Sequence, residues 1–131
     1  MSRRRNMIRN ERGQTMVEFA LVIPILCLVL FGILQFGALY NDYVTLTDAT
    51  RVGARKAATS RHEANPAAAA ETAARNSAPG LNASDVDFTV TSDWEHGDPV
   101  TVEGTYPYEI DLLGFVVASG DLTSETTERV E

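Results

Sequence analysis

The apolar residues of this chain change period twice. Across residues 19–41 no side chain carries a formal charge, and most are Leu, Ile, Val, Phe or Ala. At ~1.5 Å rise per residue this run makes roughly 34 Å of helix, enough to cross a hydrocarbon core of ~30 Å. A chain of 131 residues is too small to wrap a helix that is apolar on every side. The run is therefore read as a membrane span rather than a buried core helix. No Pro interrupts residues 39–61, where Val44, Ala49, Val52, Ala57 and Ala58 supply a narrow apolar stripe, with Gly53 as its weak point. Arg51, Arg55 and Lys56 then face elsewhere. Residues 14–61 are predicted to be one helix, a span continuing into an amphipathic stalk.

A second, shorter helix is predicted over Ala67 to Arg75, with Asn65 as its cap and Pro66 at its first position. Ala78-Pro79-Gly80 ends it. Beyond residue 84 the period falls to two. Val86, Phe88 and Val90 alternate with polar residues, as do Val100, Val102, Gly104, Tyr106, Tyr108 and Ile110. Leu122, Ser124, Thr126, Glu128 and Val130 form a weaker third series. These predict about three antiparallel strands with one buried face. Glu95-His96-Gly97-Asp98-Pro99 is the turn between the first two strands, and Pro107 marks an edge or a bulge. The predicted fold class is α+β. It divides into a basic leader at 1–13, a transmembrane and stalk helix at 14–61, and a small head at 62–131.

Charge adds a topology. Arg3, Arg4, Arg5, Arg9 and Arg12 precede the span with only Glu11 against them, and Asp42 and Asp48 are the first charges after it. The positive-inside rule puts the N-terminus in the cytoplasm and the head outside, with Tyr40 and Tyr43 at the outer interface. The net charge is −7; loss of residues 1–13 would remove five Arg and one Glu, a net of +4, and leave −11. An acidic exported region argues against nucleic-acid binding, which needs basic patches.

Catalytic and cofactor signals are missing. His62 and His96 are the only histidines and have no second ligand at metal spacing. Asp85, Asp87, Asp93 and Asp98 do not follow the EF-hand spacing. There is no nucleophile elbow, phosphate loop or dinucleotide fingerprint. The single Cys27 lies mid-span and reads as a packing residue. No enzymatic activity, metal or cofactor is expected. Asn82-Ala83-Ser84 matches a glycosylation sequon, a short pattern with a high chance rate.

The span carries features that ask for function. Glu18 is a lone carboxylate at its mouth, where charge is expensive. Pro24 removes a backbone donor toward Ala20 and predicts a kink that neighbouring helices compensate. Gly32 and Gly37 thin one side of the helix, although their spacing is not that of the GxxxG dimer.

The run Glu11-Arg12-Gly13-Gln14-Thr15-Met16-Val17-Glu18-Phe19-Ala20-Leu21-Val22-Ile23-Pro24, continued by Phe31-Gly32-Ile33-Leu34-Gln35-Phe36-Gly37, resembles the N-terminal signature of TadE-like proteins. These are pseudopilins or minor pilins of the bacterial tight-adherence (Flp, type IVc) pilus machinery. The specific likeness covers about residues 11–40. Tyr106-Pro107-Tyr108 and the Thr-rich end at Arg129-Val130-Glu131 are similar to the family's looser C-terminal pattern. The resemblance implies cleavage by a prepilin peptidase between Gly13 and Gln14, with Glu18 as the subunit-assembly carboxylate. A new α-amine at Gln14 would pair with Glu18 of an adjacent subunit and favour one axial register, although an N-terminal glutamine can cyclise and lose its charge. The implied partners are the peptidase, other Tad pilins and pseudopilins, the inner-membrane assembly platform and membrane lipid. The implied location is the cytoplasmic membrane, with incorporation into an extracellular pilus. The residues leave open a membrane-tethered binding or sensing domain that never enters a filament.

Overall fold

The computed structural model describes residues 11–131. Of the basic leader, residues 1–10, with Arg3, Arg4, Arg5 and Arg9, lie outside the described residues. Five elements follow in order: α1 (Glu11–Thr59), α2 (Pro66–Asn76), β1 (Asp87–Thr91), β2 (Pro99–Leu112) and β3 (Phe115–Arg129). The fold is α+β, a long apolar N-terminal helix followed by a short helix and a three-stranded antiparallel sheet in the order β1-β2-β3.

Helix α1 has two unlike halves. Every residue from 14 to 31 is exposed, and the most apolar window is 0% buried. From Leu46 onward one face is buried, through Leu46, Ala49, Thr50, Gly53, Ala54, Ala57 and Ala58. These positions recur every three or four residues, the spacing of one helix face. The stripe differs from the expected one, because Val44 and Val52 lie off it and are exposed. Nor is Gly53 a weak point. A Cβ there would stand 2.9 Å from Ala74 Cβ and 3.3 Å from both Ala70 O and Val102 Cγ1, so glycine allows α2 and the sheet to approach α1 closely.

The caps account for the helix boundaries. Asn65 Oδ1 accepts from Ala68 N at 3.1 Å, and Pro66 opens α2. At the end of α1, Ser60 N donates to Ala57 O and Glu131 N donates to Ala58 O. Carbonyls that a helix end leaves open are thus satisfied, and the chain terminus is tied to the stalk.

The sheet lays one face on α1. Gly104 of β2 meets Leu46 and Thr50 of α1 and Phe88 of β1, Val102 lies against Gly53, and Val100 and Val130 complete the core. The opposite face is polar and wet, as in Thr101 and Thr127, whose hydroxyls lie 2.9 Å apart. Pro107 sits in β2 beyond its last pairing with β1, at Thr105, and pairs only with Asp121 of β3. One margin of β2 is therefore an edge there, which tolerates a missing N–H. The irregularity in the ladder lies further on, between Ile110 and Asp111.

A hydroxyl network fastens α1 to β3. Thr50 donates to Thr47 O at 2.8 Å, Ser124 donates to Thr47 Oγ1 at 3.1 Å, and Thr47 donates to Tyr43 O at 2.9 Å. Each hydroxyl has one proton. With those three spent, the 3.1 Å contact between Thr50 and Thr126 is donated by Thr126. No buried side-chain nitrogen or oxygen among the described residues lacks a partner.

Candidate functional site

The residues singled out in the sequence all stand on α1. Gly13 and Gln14 lie within its first turns, so the Gly13–Gln14 bond is helical. Gln14 Nε2 donates to Glu18 Oε1 at 3.1 Å. The two are four residues apart, which places them one above the other on a helix face. Glu18 is exposed, and Thr15, Phe19 and Val22 line a shallow depression with it. The carboxylate is therefore set on an apolar surface, with one lone pair taken by a neutral amide. It retains acceptor capacity for a cation or donor brought by another molecule.

Below Glu18 the helix runs through Pro24 without interruption. Phe19 is exposed, and nothing lies within 4 Å of a Cβ built at Gly32 or Gly37. Cys27 is likewise exposed on this half. The structure thus gathers Gly13, Gln14 and Glu18 at one end of the span. It leaves Pro24, Gly32 and Gly37 on a surface open to lipid or to another helix.

Among the described residues, no group of three or more His, Cys, Asp or Glu could hold a metal ion. The clearest electrostatic pair in the head is Lys56 with Glu63, at 2.6 Å. That hydrogen bond holds the Glu63 carboxyl below its ordinary value; burial opposes the shift, while the Lys56 charge and the Ser60 hydroxyl add to it. This pair closes the turn after α1. Arg75 is another tie, with Nη1 donating to Ala83 O at 2.9 Å and Val86 O at 3.0 Å beside the Phe88 ring.

The sequence reading missed one contact on the span. Gln35 Nε2 donates to Asp111 O at 2.8 Å, bringing the end of β2 against the membrane half of α1. The available signal was a polar amide inside an apolar run, which needs a partner. A sequence does not say which carbonyl supplies it.

A family model described as TadE-like protein matches residues 13–55. No curated protein and no solved structure matches the chain. The matched segment opens at Gly13, takes in Glu18 and the uncovered apolar surface, and ends within the face that α1 gives to the core. Over this N-terminal third of its length the chain is similar to TadE-like proteins.

Proposed function

We propose that this chain is a non-enzymatic pseudopilin or minor pilin that takes part in assembling a Tad (Flp, type IVc) pilus for surface adherence. The observation that carries the reading is the helix. Its N-terminal half is predominantly apolar and exposed throughout residues 14–31, and its C-terminal half is the backbone of a folded head. Such a half-helix is stable only in lipid or among similar helices. A pilin uses both surroundings in turn, first as a membrane precursor and then in a filament.

In this reading a prepilin peptidase cuts between Gly13 and Gln14 on the cytoplasmic side. The five leader arginines hold that end inside, and the head lies outside. Cleavage frees the Gln14 amine, and Glu18 is the carboxylate that receives the amine of a neighbouring subunit. A buried ion pair left half-made is strongly unfavourable, so the pair selects axial register as subunits enter the filament. Other Tad pilins and the inner-membrane assembly platform are the partners. The test is the intact mass of the protein extracted from membranes of its native host, with and without the peptidase. Peptidase-dependent loss of residues 1–13 is the expected result, with any ammonia lost by cyclisation of Gln14 visible in the same spectrum. An uncut chain in both strains would overturn the reading.

A further inference from the structure

We infer that the tip of the β2–β3 hairpin is a second membrane contact, seated at the headgroup–acyl boundary of the leaflet on the head's side. The inference rests on the reading of residues 19–41 as the span. The tip is apolar and bare: Leu113 is 66% exposed, Phe115 76%, Val116 58% and Val117 62%. No charged residue occurs from 112 to 120. The nearest acid, Asp111, spends a carboxylate oxygen on Gly114 N at 2.7 Å, closing the turn.

Continuity with the span identifies the occupant. Gln35 lies six residues before Asn41, the end of the uncharged run, or roughly 9 Å along the helix. Its bond to Asp111 O fixes the hairpin end at that level. A tip anchored there stands alongside residues that face lipid, so lipid is its neighbour as well. The depth is limited by the hairpin's own edges, because unpaired strand groups are not tolerated in the hydrocarbon centre. At the boundary they reach headgroups and water while the side chains reach acyl chains. Tyr40 and Tyr43, exposed on α1, mark the same zone.

The turn itself fits an apolar setting. Leu113 and Gly114 are its two central residues, with φ of 57° and 88°. A two-residue hairpin loop with positive φ at both positions favours Asn or Asp before Gly. Leucine there accepts an unfavourable backbone conformation and, in water, leaves its side chain exposed. Immersion at the boundary removes the second penalty. The contact carries no basic residue, so it calls for neutral lipid and little dependence on salt.

The full chain, in a Cys27→Ala background, is placed in phosphatidylcholine nanodiscs, which leave both faces open to solvent. A nitrobenzoxadiazole dye is attached through Val116→Cys, and independently through Phe115→Cys on the other face of the hairpin. Glu103→Cys on the wet face of the sheet is the exposed reference, and the dye on Cys27 of the otherwise unaltered chain, in a parallel sample, reports the span. The expected result is a blue shift at residues 115 and 116, quenching by lipid spin-labelled near the headgroup, and loss of quenching by iodide. Iodide access at 115 and 116 with Cys27 protected would overturn the inference and leave the span intact. Protection from iodide without lipid quenching would overturn it in favour of a second copy of the chain. Iodide access at Cys27 itself would overturn the span reading, and the inference with it.

Discussion

Replacing Gly53 by alanine sets two known effects against each other at one buried position. Helix propensity alone favours alanine over glycine by ~0.8–1.0 kcal/mol. The new methyl would meet Ala74 Cβ at 2.9 Å, with Ala70 O and Val102 Cγ1 at 3.3 Å. Two of those atoms cannot swing away: a backbone carbonyl, and a Cβ fixed to its own helix. Relief requires α2 to move off α1, and overpacking of this kind costs about 1–3 kcal/mol. The net expectation is destabilisation of about 1 kcal/mol, the difference between those ranges. Trp94 is the only tryptophan and packs on the core, so its fluorescence follows unfolding of the head in detergent micelles. A change of 1 kcal/mol moves the midpoint of a domain this size by about 4–8 °C. Ala74→Gly in the same chain should recover part of the loss, giving non-additivity of at least about 0.5 kcal/mol. Gly37→Ala, which meets nothing within 4 Å, should leave the midpoint alone. A higher midpoint for Gly53→Ala would show that the close contact yields freely, and would refute the reasoning.

Thr50→Val keeps the shape but removes the acceptor of Thr126; because Thr126 is half-buried and reaches water, a loss near the lower end of about 1–3 kcal/mol is expected, read by the same fluorescence melt, while Thr101→Val on the wet face should change little. Glu18→Ala should insert into membranes normally but be depleted from sheared pili, and wild-type incorporation would sink the assembly role of the carboxylate. The Glu63 carboxyl is held below its ordinary value, so the support it gives the turn is complete above that value and fades as pH falls through the lowered one; Glu63→Gln should flatten this acid limb of the melting profile. One alanine inserted after Tyr40 turns the head by about 100° about the helix axis and parts Gln35 from Asp111; the melt should fall by no more than the ~0.5–1.5 kcal/mol of one hydrogen bond while incorporation is lost, and normal incorporation would show that α1 does not transmit register.

The span, the capped second helix and the first two strands were legible because each rests on a local signal. Asn65-Pro66 announces α2 at its own position, and Phe88 with Val90, or Val100 with Val102, shows the alternation of a half-buried strand. The family resemblance was legible for the same reason, in a contiguous run from Gly13 through Glu18 to Gly37. What escaped was set by distant partners. Thr50 is buried because Ser124 and Thr126 arrive opposite it with hydroxyls, and a threonine on a helix carries no mark of that. Val44 and Val52 look like core residues but lie off the face defined by Leu46, Gly53 and Ala57. The hairpin tip hid its strand because Phe115, Val116 and Val117 are consecutive apolar residues. Alternation requires one wet face, and neither face of the tip is packed within the chain.

The division of α1 into two halves has a mechanical consequence. In a head joined to its anchor by a linker, the span could turn without the head. Here Leu46, Ala49, Thr50, Gly53, Ala54 and Ala57 are themselves the floor on which the sheet and α2 pack. Residues 14–59 belong to one unbroken helix, so a rotation or axial shift fixed at Glu18 is carried to the head with no free torsion between them. The Gln35 bond to Asp111 braces the same relation from the side. A single carboxylate near the N-terminus would be a poor guide for a loosely tethered head. On a helix that is also the core of that head, the placement of Glu18 sets the placement of every exposed strand edge.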